Sequence, residues 1–307
     1  MEIFDRRKIE ANKARAAAGL AQHDFLHRYA ADEIAARLRL VEREFRLIAD
    51  IGAGHGVLSV ALQTAFPSAC IVSLEPSGVL LRQVCGLRVQ AREDALPLKE
   101  GAFDLIVSGF ALHLVNDLPG ALVQMRRALK PDGLFMVALA GGDTLSELRE
   151  ALMLAEIDLA GGVSPRVFPT ADVRELGGLL QRAGFALPVA DSERLTVTYT
   201  DAVALMRDLR AMGGANALLS RSRRPMRRAM LTQAAALYAD KFPAPGGRVR
   251  ATFEIIFLSG WAPHESQQKP LAPGSAKVRL ADALGTVEHP AGDKAAFPAT
   301  NPLSKKP

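Results

Sequence analysis

The chain has 307 residues, of which 49% are hydrophobic and 23% are charged, and its formal net charge is +5. That length and apolar content support a sizeable buried core, in one large domain with insertions or in two small ones. Its two cysteines, Cys70 and Cys85, exclude a disulfide framework and fit a reducing compartment. No apolar run is long enough to span a bilayer, and the N-terminus lacks the apolar core of a signal peptide. We therefore expect a cytoplasmic globular protein.

The predicted elements begin with an N-terminal helical segment, residues 1–44, in which apolar positions recur at helical spacing over 8–40. Strands and helices then alternate, as is typical of a doubly wound, mostly parallel α/β sheet with right-handed crossovers. This core spans residues 45–142. Its predicted strands are 45–52, 70–77, 87–95, 103–112 and 134–142, and its predicted helices are 55–66, 78–85 and 118–133.

The alternation changes after residue 142, where two helical inserts interrupt the remaining strands. The first cap insert, 143–168, contains a helix over 144–162, and the second, 201–248, contains a helical pair. We expect both inserts to form one cap over the site and the sheet to have seven strands. The core continues over 169–200, with a predicted helix at 171–185 and a predicted strand at 194–200. The helical pair of the second insert is 201–218 and 227–242. The last core strand is 249–261, and we expect a mobile tail over 262–307.

A glycine-rich loop follows the first predicted strand in "ADIGAGHG", residues 49–56. Gly52, Gly54 and Gly56 carry no Cβ, so the backbone there can approach a ligand and adopt positive φ. The spacing G-x-G-x-G without a following Lys-Ser or Lys-Thr argues against a P-loop. Asp50 lies just ahead of the glycines, at the end of the strand, as a ligand-binding acid or as a solvated one. Glu75 ends the second strand, where an acid accepts hydrogen bonds from both ribose hydroxyls of NAD or of S-adenosylmethionine.

Three later motifs separate these two ligands. Asp94 lies in "EDALPL", where a carboxylate can accept from an adenine amine, and "FDLIVS" and "LKPDG" follow in order. The ordered set resembles the class I S-adenosylmethionine-dependent methyltransferases. The resemblance implies S-adenosylmethionine as the cofactor and a Rossmann-like core. The residues that it assigns to the cofactor are Asp50, Gly52, Gly54, Gly56, Glu75, Asp94, Ala95 and Ser108.

Nearly the whole chain, including both inserts, resembles one subfamily, the assembly factor 5 family of NADH:ubiquinone oxidoreductase (respiratory complex I), in a bacterial form. The stretches that carry the resemblance include "GGDTLSELR" (141–149), "AEIDLAGGVSPRV" (155–167) and "ATFEIIFLSGWAPHESQQKP" (251–270). It implies a protein substrate, the complex I subunit with the terminal iron–sulfur cluster, in which mitochondrial members hydroxylate an arginine. The chain departs from the family at Ala53, at His55 and at Leu114, which replaces a common tryptophan.

Two other functions stay open. One is an O-methyltransferase that acts on malonyl-acyl carrier protein or a small carboxylate, as in early biotin synthesis, and the other is a non-catalytic assembly chaperone. The six histidines show no metal-ligand spacing, so we expect no metal site. Hydroxylase chemistry therefore rests on the resemblance alone. The sequence leaves open the choice between hydroxylation and methylation, and also the oligomeric state.

The candidate catalytic residues are His113, Tyr199 and Asn216. His113 lies just beyond the fourth strand, as an acid, a base or a substrate contact, or else as a cap of the next helix. The loop-like "MGGAN" (212–216) is expected to line the pocket. An arginine substrate would need carboxylates, for which the first insert offers Asp143, Glu147, Glu150 and Glu156.

The basic residues concentrate in "RSRRPMRR" (221–228) and near the C-terminus. A solvated basic face accounts for them better than a nucleic-acid site, because aromatic residues, which stack on bases, make up only 6% of the chain. We expect no nucleic-acid partner. The stretch offers a means of peripheral association with the inner membrane, and a eukaryotic form would belong in the mitochondrial matrix.

Overall fold

The computed structural model describes residues 2–268, 275 and 278–287. The sheet and both inserts belong to one unit that ends at Glu265. The second unit begins at Ser266, and its described part contains the short helix α10, Leu280–Leu284. The predicted mobile tail over 262–307 therefore lies mostly outside the described residues.

Eight strands and nine longer helices make up the described part of the first unit. The strands are β1 (Leu47–Ile51), β2 (Cys70–Leu74), β3 (Leu87–Val89), β4 (Phe103–Gly109), β5 (Leu129–Ala140), β6 (Ala186–Tyr199), β7 (Pro243–Ala244) and β8 (Arg248–Trp261). The helices are α1 (Arg6–Ala16), α2 (Phe25–Arg39), α3 (Val57–Ala65), α4 (Gly78–Leu81), α5 (Leu118–Ala128), α6 (Ser146–Ala160), α7 (Val173–Arg182), α8 (Ala202–Ala211) and α9 (Arg228–Lys241).

The strands form one sheet of eight, one more than the seven predicted, because the two-residue β7 pairs with β8 at its margin. The other seven lie in the order β3-β2-β1-β4-β5-β8-β6. The first five strands run parallel, whereas β8 runs antiparallel to both β5 and β6. Asp50 on β1 is in register with Ser73 on β2 and Val107 on β4. The ends of these strands therefore meet at one edge, and the predicted α/β doubly wound, mostly parallel fold is confirmed.

Helices cover both faces of the sheet, as its buried residues require. One apolar cluster joins α2 and α3 to the strands and the cap helices, with Ile34, Leu38 and Leu62 fully buried. The other joins α5 and α7 to the opposite face, through Met125 and Leu180. Each core thus fixes the ends of β1, β2 and β4 relative to the helices that surround them.

The two inserts pack on each other as expected of a single cap. Leu152 and Ala155 of α6 belong to the same buried cluster as Met230, Ala234 and Tyr238 of α9. The Tyr238 hydroxyl donates to the Arg250 carbonyl oxygen of β8 at 2.8 Å. The cap is thereby anchored to the sheet as well as to itself.

Two predicted helices are wrong in their bounds. The segment 8–40 is two helices separated at residues 17–24, because Ala17 and Leu20 turn inward to pack on Leu80. The segment 118–133 is helical only to Ala128, and its last residues belong to β5. Pro131 has no backbone N–H to donate within a helix, which explains the early end.

Two further bounds differ in the second half of the chain. The segment 201–218 stops being helical at Ala211, and Gly213 follows with a φ of +84°, a common way to end a helix. The strand expected over 194–200 begins earlier, at Ala186, because it pairs along almost all of β8. These changes leave the residues 212–218 as a loop beside the edge where the strands end.

Candidate functional site

The glycine loop between β1 and α3 is held against β2. The N–H groups of Gly52 and Ala53 donate to the Leu74 carbonyl oxygen at 2.8 and 2.9 Å. Gly52 has a φ of +69°, and a Cβ there would lie 2.1 Å from the Ala111 Cβ. Gly54 has a φ of +59°, but a Cβ there would meet nothing within 4 Å. The loop therefore has no room for a side chain at Gly52, whereas the space beside Gly54 is open.

Glu75 is fully buried immediately after β2. Its carboxylate accepts from the Gly54 N–H at 3.1 Å and the Ser77 N–H at 2.9 Å, so the glycine loop orients it. The ammonium of Lys13, on α1, lies 3.1 Å from both oxygens and 3.6 Å from Glu93. Burial alone would lower the pKa of Lys13, but the two carboxylates outweigh burial and raise it.

Asp50 is also fully buried, at the end of β1. One oxygen, Oδ2, accepts from the Ser59 hydroxyl at 2.6 Å, and Ser59 in turn shares a hydrogen bond with Ser73 at 2.8 Å. The other oxygen, Oδ1, has no partner among the described residues. Burial raises the pKa of Asp50 to about 7, against the opposing effect of the Ser59 hydrogen bond. A cation bound beside Asp50 would therefore lower this pKa and keep the carboxyl group fully charged.

The other residues assigned to the cofactor lie on the same edge with different surroundings. Asp94 pairs with the guanidinium groups of Arg6 at 2.7 Å and Arg92 at 3.0 Å. Ala95 is exposed, and its N–H donates to the Arg92 carbonyl oxygen. Ser108, on β4, is fully buried, and its Oγ lacks a partner among the described residues.

Helix α1 forms a wall of the site, which the sequence reasoning missed. Lys13 reaches Glu75 from this helix, and Arg6 reaches Asp94. The buried Asn12 donates to the Ala215 carbonyl oxygen at 2.7 Å, so α1 is also tied to the loop 212–218, which we call the cap loop. The signal in the sequence was an asparagine within a run of charged helical residues, but its partner lies about 200 positions away along the chain.

Two histidines line the site from different elements. His113 lies between Phe168, on which it stacks at 5.3 Å between ring centroids, and Phe110. His27, on α2, lies near His55 and Phe110. Burial lowers the pKa of His113 to about 3 and that of His27 to about 4. Both imidazoles are therefore neutral at physiological pH.

Four buried side-chain atoms in the described part of the chain have no hydrogen-bond partner, and all belong to residues of this site. They are Asp50 Oδ1, Ser108 Oγ, His27 Nδ1 and His113 Nδ1. Orphaned buried polar atoms are rare in folded proteins and need an explanation. His27 lines a small space with Asp50 and Gly52, and it also lines a larger cavity with His113. The cluster fits a polar ligand that reaches from the glycine loop towards the cap.

The larger cavity has a volume of about 190 Å³ and is mostly apolar. Its walls include α1, the cap loop with Met212, Gly213 and Asn216, and Phe168 of the first insert. The expectation that "MGGAN" lines the pocket agrees with this arrangement. A cavity bounded on one side by His113 and on the other by the cap can enclose a substrate side chain away from water.

The structure does not bring Tyr199 into the cavity. Its hydroxyl donates to the Asp208 carboxylate at 2.9 Å, and burial together with that bond raises its pKa. Asn216 does line the cavity, but its amide donates to the Pro165 carbonyl oxygen at 2.9 Å, while its side-chain oxygen accepts from the Leu218 N–H at 3.0 Å. Asn216 thus joins the two inserts, and both polar groups of its side chain are engaged in doing so.

The four carboxylates expected to meet an arginine are all engaged elsewhere. Asp143 pairs with Arg194, Glu147 accepts from Thr252, Glu150 pairs with Lys241, and Glu156 pairs with Arg166. Glu254, on β8, is the acid that lines the cavity instead. One of its oxygens accepts from the Asp143 N–H at 2.8 Å, and the other has no hydrogen bond to the described residues. The signal that could have found it was an acid inside an apolar strand, "ATFEIIF".

The described residues contain no cluster of three or more side chains suited to hold a metal ion. No helix in that part of the chain is long and apolar enough to cross a membrane. The expectations of no metal site and of no membrane span rest on the sequence.

Comparison with known proteins identifies the fold and the family together. Residues 22–188, just over half of the chain, match the family described as a methyltransferase domain. The chain belongs to this family. It is 38% identical to arginine-hydroxylase NDUFAF5, mitochondrial, of Homo sapiens, over 96% of this chain and 87% of that protein. The match to the Danio rerio protein of the same name is also 38%, over 92% and 89%.

A second group of relatives within the family has another named activity. The chain is 34% identical to a malonyl-[acyl-carrier protein] O-methyltransferase of Laribacter hongkongensis, over 88% of this chain and 94% of that protein. The resemblance to class I methyltransferases and to the assembly factor 5 family is thus confirmed. Both named activities therefore have relatives that match nearly the whole chain.

Solved structures agree on the fold at much lower identity. The YcgJ protein of Bacillus subtilis superposes with a TM-score of 0.53 at 16% identity, covering 76% of this chain and 99% of that one. The BH2331 protein of Bacillus halodurans gives a TM-score of 0.54 at 13% identity, with the same coverage of both chains. These two likenesses therefore support the methyltransferase fold over about three quarters of the chain.

Proposed function

We propose that the chain binds S-adenosylmethionine at the glycine-loop edge and modifies an arginine of a complex I subunit during assembly of that complex. The observation that carries the proposal is the cluster of four orphaned polar atoms on Asp50, Ser108, His27 and His113. It lies in a chain that is 38% identical to arginine-hydroxylase NDUFAF5 over 96% of its length. The product is either a methylated or a hydroxylated arginine, and hydroxylation would also need an oxidant such as dioxygen and two electrons from a reductant, which methyl transfer does not.

Three acids of this edge suit the three polar parts of the cofactor. Glu75, oriented by two backbone N–H groups, would accept from the ribose hydroxyls. Asp50 would face the amino-acid ammonium through its free Oδ1. Asp94 would accept from the adenine amine, for which it must share its carboxylate with Arg6. When bound, the cofactor supplies an electrophilic sulfonium, and these residues fix its orientation and exclude water.

The cavity suits a flexible side chain that enters from the cap side. Its apolar walls would pack on the methylene groups of an arginine, and the open oxygen of Glu254 would accept from the guanidinium. His113 is neutral, so its imidazole would contact the guanidinium without charge repulsion. The four acids of the first insert, which the sequence offered for this role or as a solvated helix face, have partners elsewhere.

A second candidate substrate is a carboxylate on a carrier protein. Arg166 lines the same cavity, and a guanidinium there can bind a carboxylate. Its present partner is Glu156, at 2.7 Å, which lowers the availability of Arg166 for a substrate. The geometry therefore favours the arginine substrate, while the relatives support both.

The experiment is mass spectrometry of complex I subunits from cells with and without this chain. The proposal expects one arginine-containing peptide to lose the mass of one oxygen or one methylene group when the chain is absent. Unchanged masses, together with methyl transfer to malonyl-acyl carrier protein in vitro, would favour the second candidate. Intact complex I in cells that carry only a variant unable to bind the cofactor would instead indicate a non-catalytic chaperone.

The partner and the location follow from the same proposal. A subunit that carries an iron–sulfur cluster would meet this chain in the bacterial cytoplasm, or in the matrix of a mitochondrion. The exposed arginines of the stretch 221–228 are available for contact with an anionic inner-membrane surface or with a protein partner.

A further inference from the structure

A groove of about 380 Å³ lies on the outer side of the cap. We call it the cap groove. Its apolar walls come from the N-terminus, from α6, from the segment 163–169 and from the cap loop. The residues that form them are Ile3, Leu152, Met153, Val163, Val167 and Leu218.

Exposed apolar side chains concentrate around this groove. Ile3 is 44% exposed, Met153 40% and Val163 56%, and all three line it. Ile157, one turn further along α6, and Leu219, next to the groove wall, are exposed as well. Single exposed apolar residues are ordinary on protein surfaces, but a group around one concave site is typical of a binding surface.

A basic segment, which we call the arginine rim, directly follows the groove residue Ser220 along the chain. The loop 221–227 starts after Ser220, which lines the groove, and it leads to Met230, whose sulfur is 3.4 Å from a nitrogen of Arg166. Arg166 lines the groove too. The rim carries four exposed arginines that have no ion-pair partner among the described residues, namely Arg223, Arg224, Arg227 and Arg228. Their charge is therefore available to a partner.

The cap groove adjoins the internal cavity. Arg166 and Val167 line both spaces, so these two side chains and their neighbours separate the outer groove from the space beside His113. A segment bound in the groove would therefore lie next to the cavity, with only this thin wall between them. The groove occupies the position that a protein substrate needs, but a small-molecule substrate would leave it without a role.

We propose that the cap groove docks a segment of the protein substrate in which apolar residues are flanked by acidic ones. The apolar residues pack on Met153 and Val163, the acidic residues meet the arginine rim, and the side chain to be modified enters the cavity. The inference rests on the proposed function in one respect, that the substrate is a protein. The concave shape favours a peptide segment over a flat lipid surface.

The test uses the full chain with a photo-crosslinking amino acid, p-benzoylphenylalanine, at Met153 or Val163. The control position is Val60, which is 62% exposed on α3 and lies outside the groove. The proposal expects a protein adduct from the two groove positions whose cross-linked peptide contains apolar residues and Asp or Glu. The double variant Arg223→Glu/Arg224→Glu should reduce that adduct at least tenfold, whereas Arg174→Glu/Arg182→Glu, on exposed α7 positions, should leave it unchanged.

Calorimetric binding of S-adenosylmethionine to each variant shows that the fold is intact. An adduct at Val60 as strong as that in the groove would overturn the proposal. So would the absence of a protein adduct, an adduct only with lipid, with nucleic acid or with a second copy of this chain, or an adduct that charge reversal does not reduce.

The outcomes also separate this inference from the proposed function. An acidic carrier protein captured in the groove would support docking and count against a complex I subunit as the substrate. In the opposite case, the variants Met153→Glu and Arg223→Glu/Arg224→Glu both still modify a complex I subunit, and their KM for that subunit equals that of the wild type. That result would contradict docking and leave the proposed function in place.

Discussion

The ammonium of Lys13 lies 3.1 Å from each carboxylate oxygen of Glu75, so a cation from the N-terminal helix covers the acid at the end of β2. Glu75 is the residue that the cofactor's ribose would use. Ribose hydroxyls and Lys13 must therefore share this carboxylate, or Lys13 must move towards Glu93. Either way, helix α1 responds to the ligand, and its stability becomes linked to cofactor binding.

Replacing Lys13 with alanine is expected to destabilise the ligand-free protein by about 3 kcal/mol, because it leaves Glu75 and Glu93 as buried acids without their cation. Saturating S-adenosylmethionine should reduce that deficit, since the ribose hydroxyls would then donate to Glu75. Urea unfolding with and without the ligand measures both effects. Arg7→Ala, at an exposed position of the same helix, is the control. A Lys13→Ala deficit that persists in full with ligand would contradict this linkage.

Gly54→Ala is expected to abolish cofactor binding while the protein still folds. A Cβ there meets no protein atom within 4 Å, so only a ligand bound at the loop would clash with it. Gly101→Ala is the matched control, because Gly101 has a similar φ, +63° against +59°, and an equally open Cβ position at the start of β4. Both variants should lose about 1 kcal/mol to backbone strain. Equal cofactor affinity in the two variants would refute the placement of the ligand at the glycine loop.

The affinity for S-adenosylmethionine is expected to depend on the ionisation of Asp50. The pKa of Asp50 is raised to about 7, so the charged form that attracts the ligand's ammonium predominates only above that pH. The Kd should therefore increase roughly tenfold per pH unit below pH 7 and level off above it. Calorimetry between pH 5.5 and 7.5 measures the trend. Asp50→Asn should bind weakly with no such trend, and a variant that retains the wild-type pH profile would show that another group titrates.

The raised pKa of Asp50 should also make the stability of the ligand-free protein depend on pH. A carboxyl group whose pKa is raised on folding binds its proton more tightly in the folded state, so its contribution to stability falls as the pH rises from about 4 to about 7. Asp50→Asn removes this decline and should be more stable than the wild type at pH 8. The lowered pKa values of His27 and His113 instead make the stability rise with pH. The quantity to measure is therefore the difference in the free energy of unfolding between the wild type and Asp50→Asn at each pH.

His113→Ala is expected to lower turnover by about a hundredfold without changing the Kd of S-adenosylmethionine, because His113 borders the substrate cavity and not the glycine loop. Its pKa is lowered to about 3, so its NMR resonances should not shift between pH 5.5 and 8. His23→Ala is the control, since His23 pairs with Asp208 and does not line the cavity. A titration of His113 near pH 6.5 would show that it is exposed to solvent.

The sequence predicted the sheet and the glycine-loop edge because their signals are local. Apolar strands alternate with helices, and the glycines directly follow the first strand, so neither inference needs contacts distant in the chain. The C-terminal ends of α5 and α8 were predicted too far along the chain, because a local helical signal there competes with the tertiary structure, which for α5 is the pairing of β5. The residues after Ala128 join β5, although the run up to Gly133 is compatible with a helix.

The rest of the site depends on contacts between distant residues. Lys13 and Glu75 are 62 positions apart, and Glu147 and Thr252 are 105 apart. Nothing near Glu147 in the sequence shows that a strand more than 100 residues away satisfies its carboxylate. For the same reason Tyr199 was grouped with the cavity although its hydroxyl is bound to Asp208. His27 was missed because its position on α2 reads as an ordinary helical residue.

The measurement that tests the central claim most directly is isothermal titration calorimetry of the purified full chain with S-adenosylmethionine, its demethylated product, NAD and ATP. The account predicts saturable binding of the first two in a one-to-one ratio, loss of that binding in Gly54→Ala but not in Gly101→Ala, and no binding of the phosphate-bearing nucleotides. Absence of heat with both sulfur compounds, or tighter binding of NAD or ATP, would contradict it.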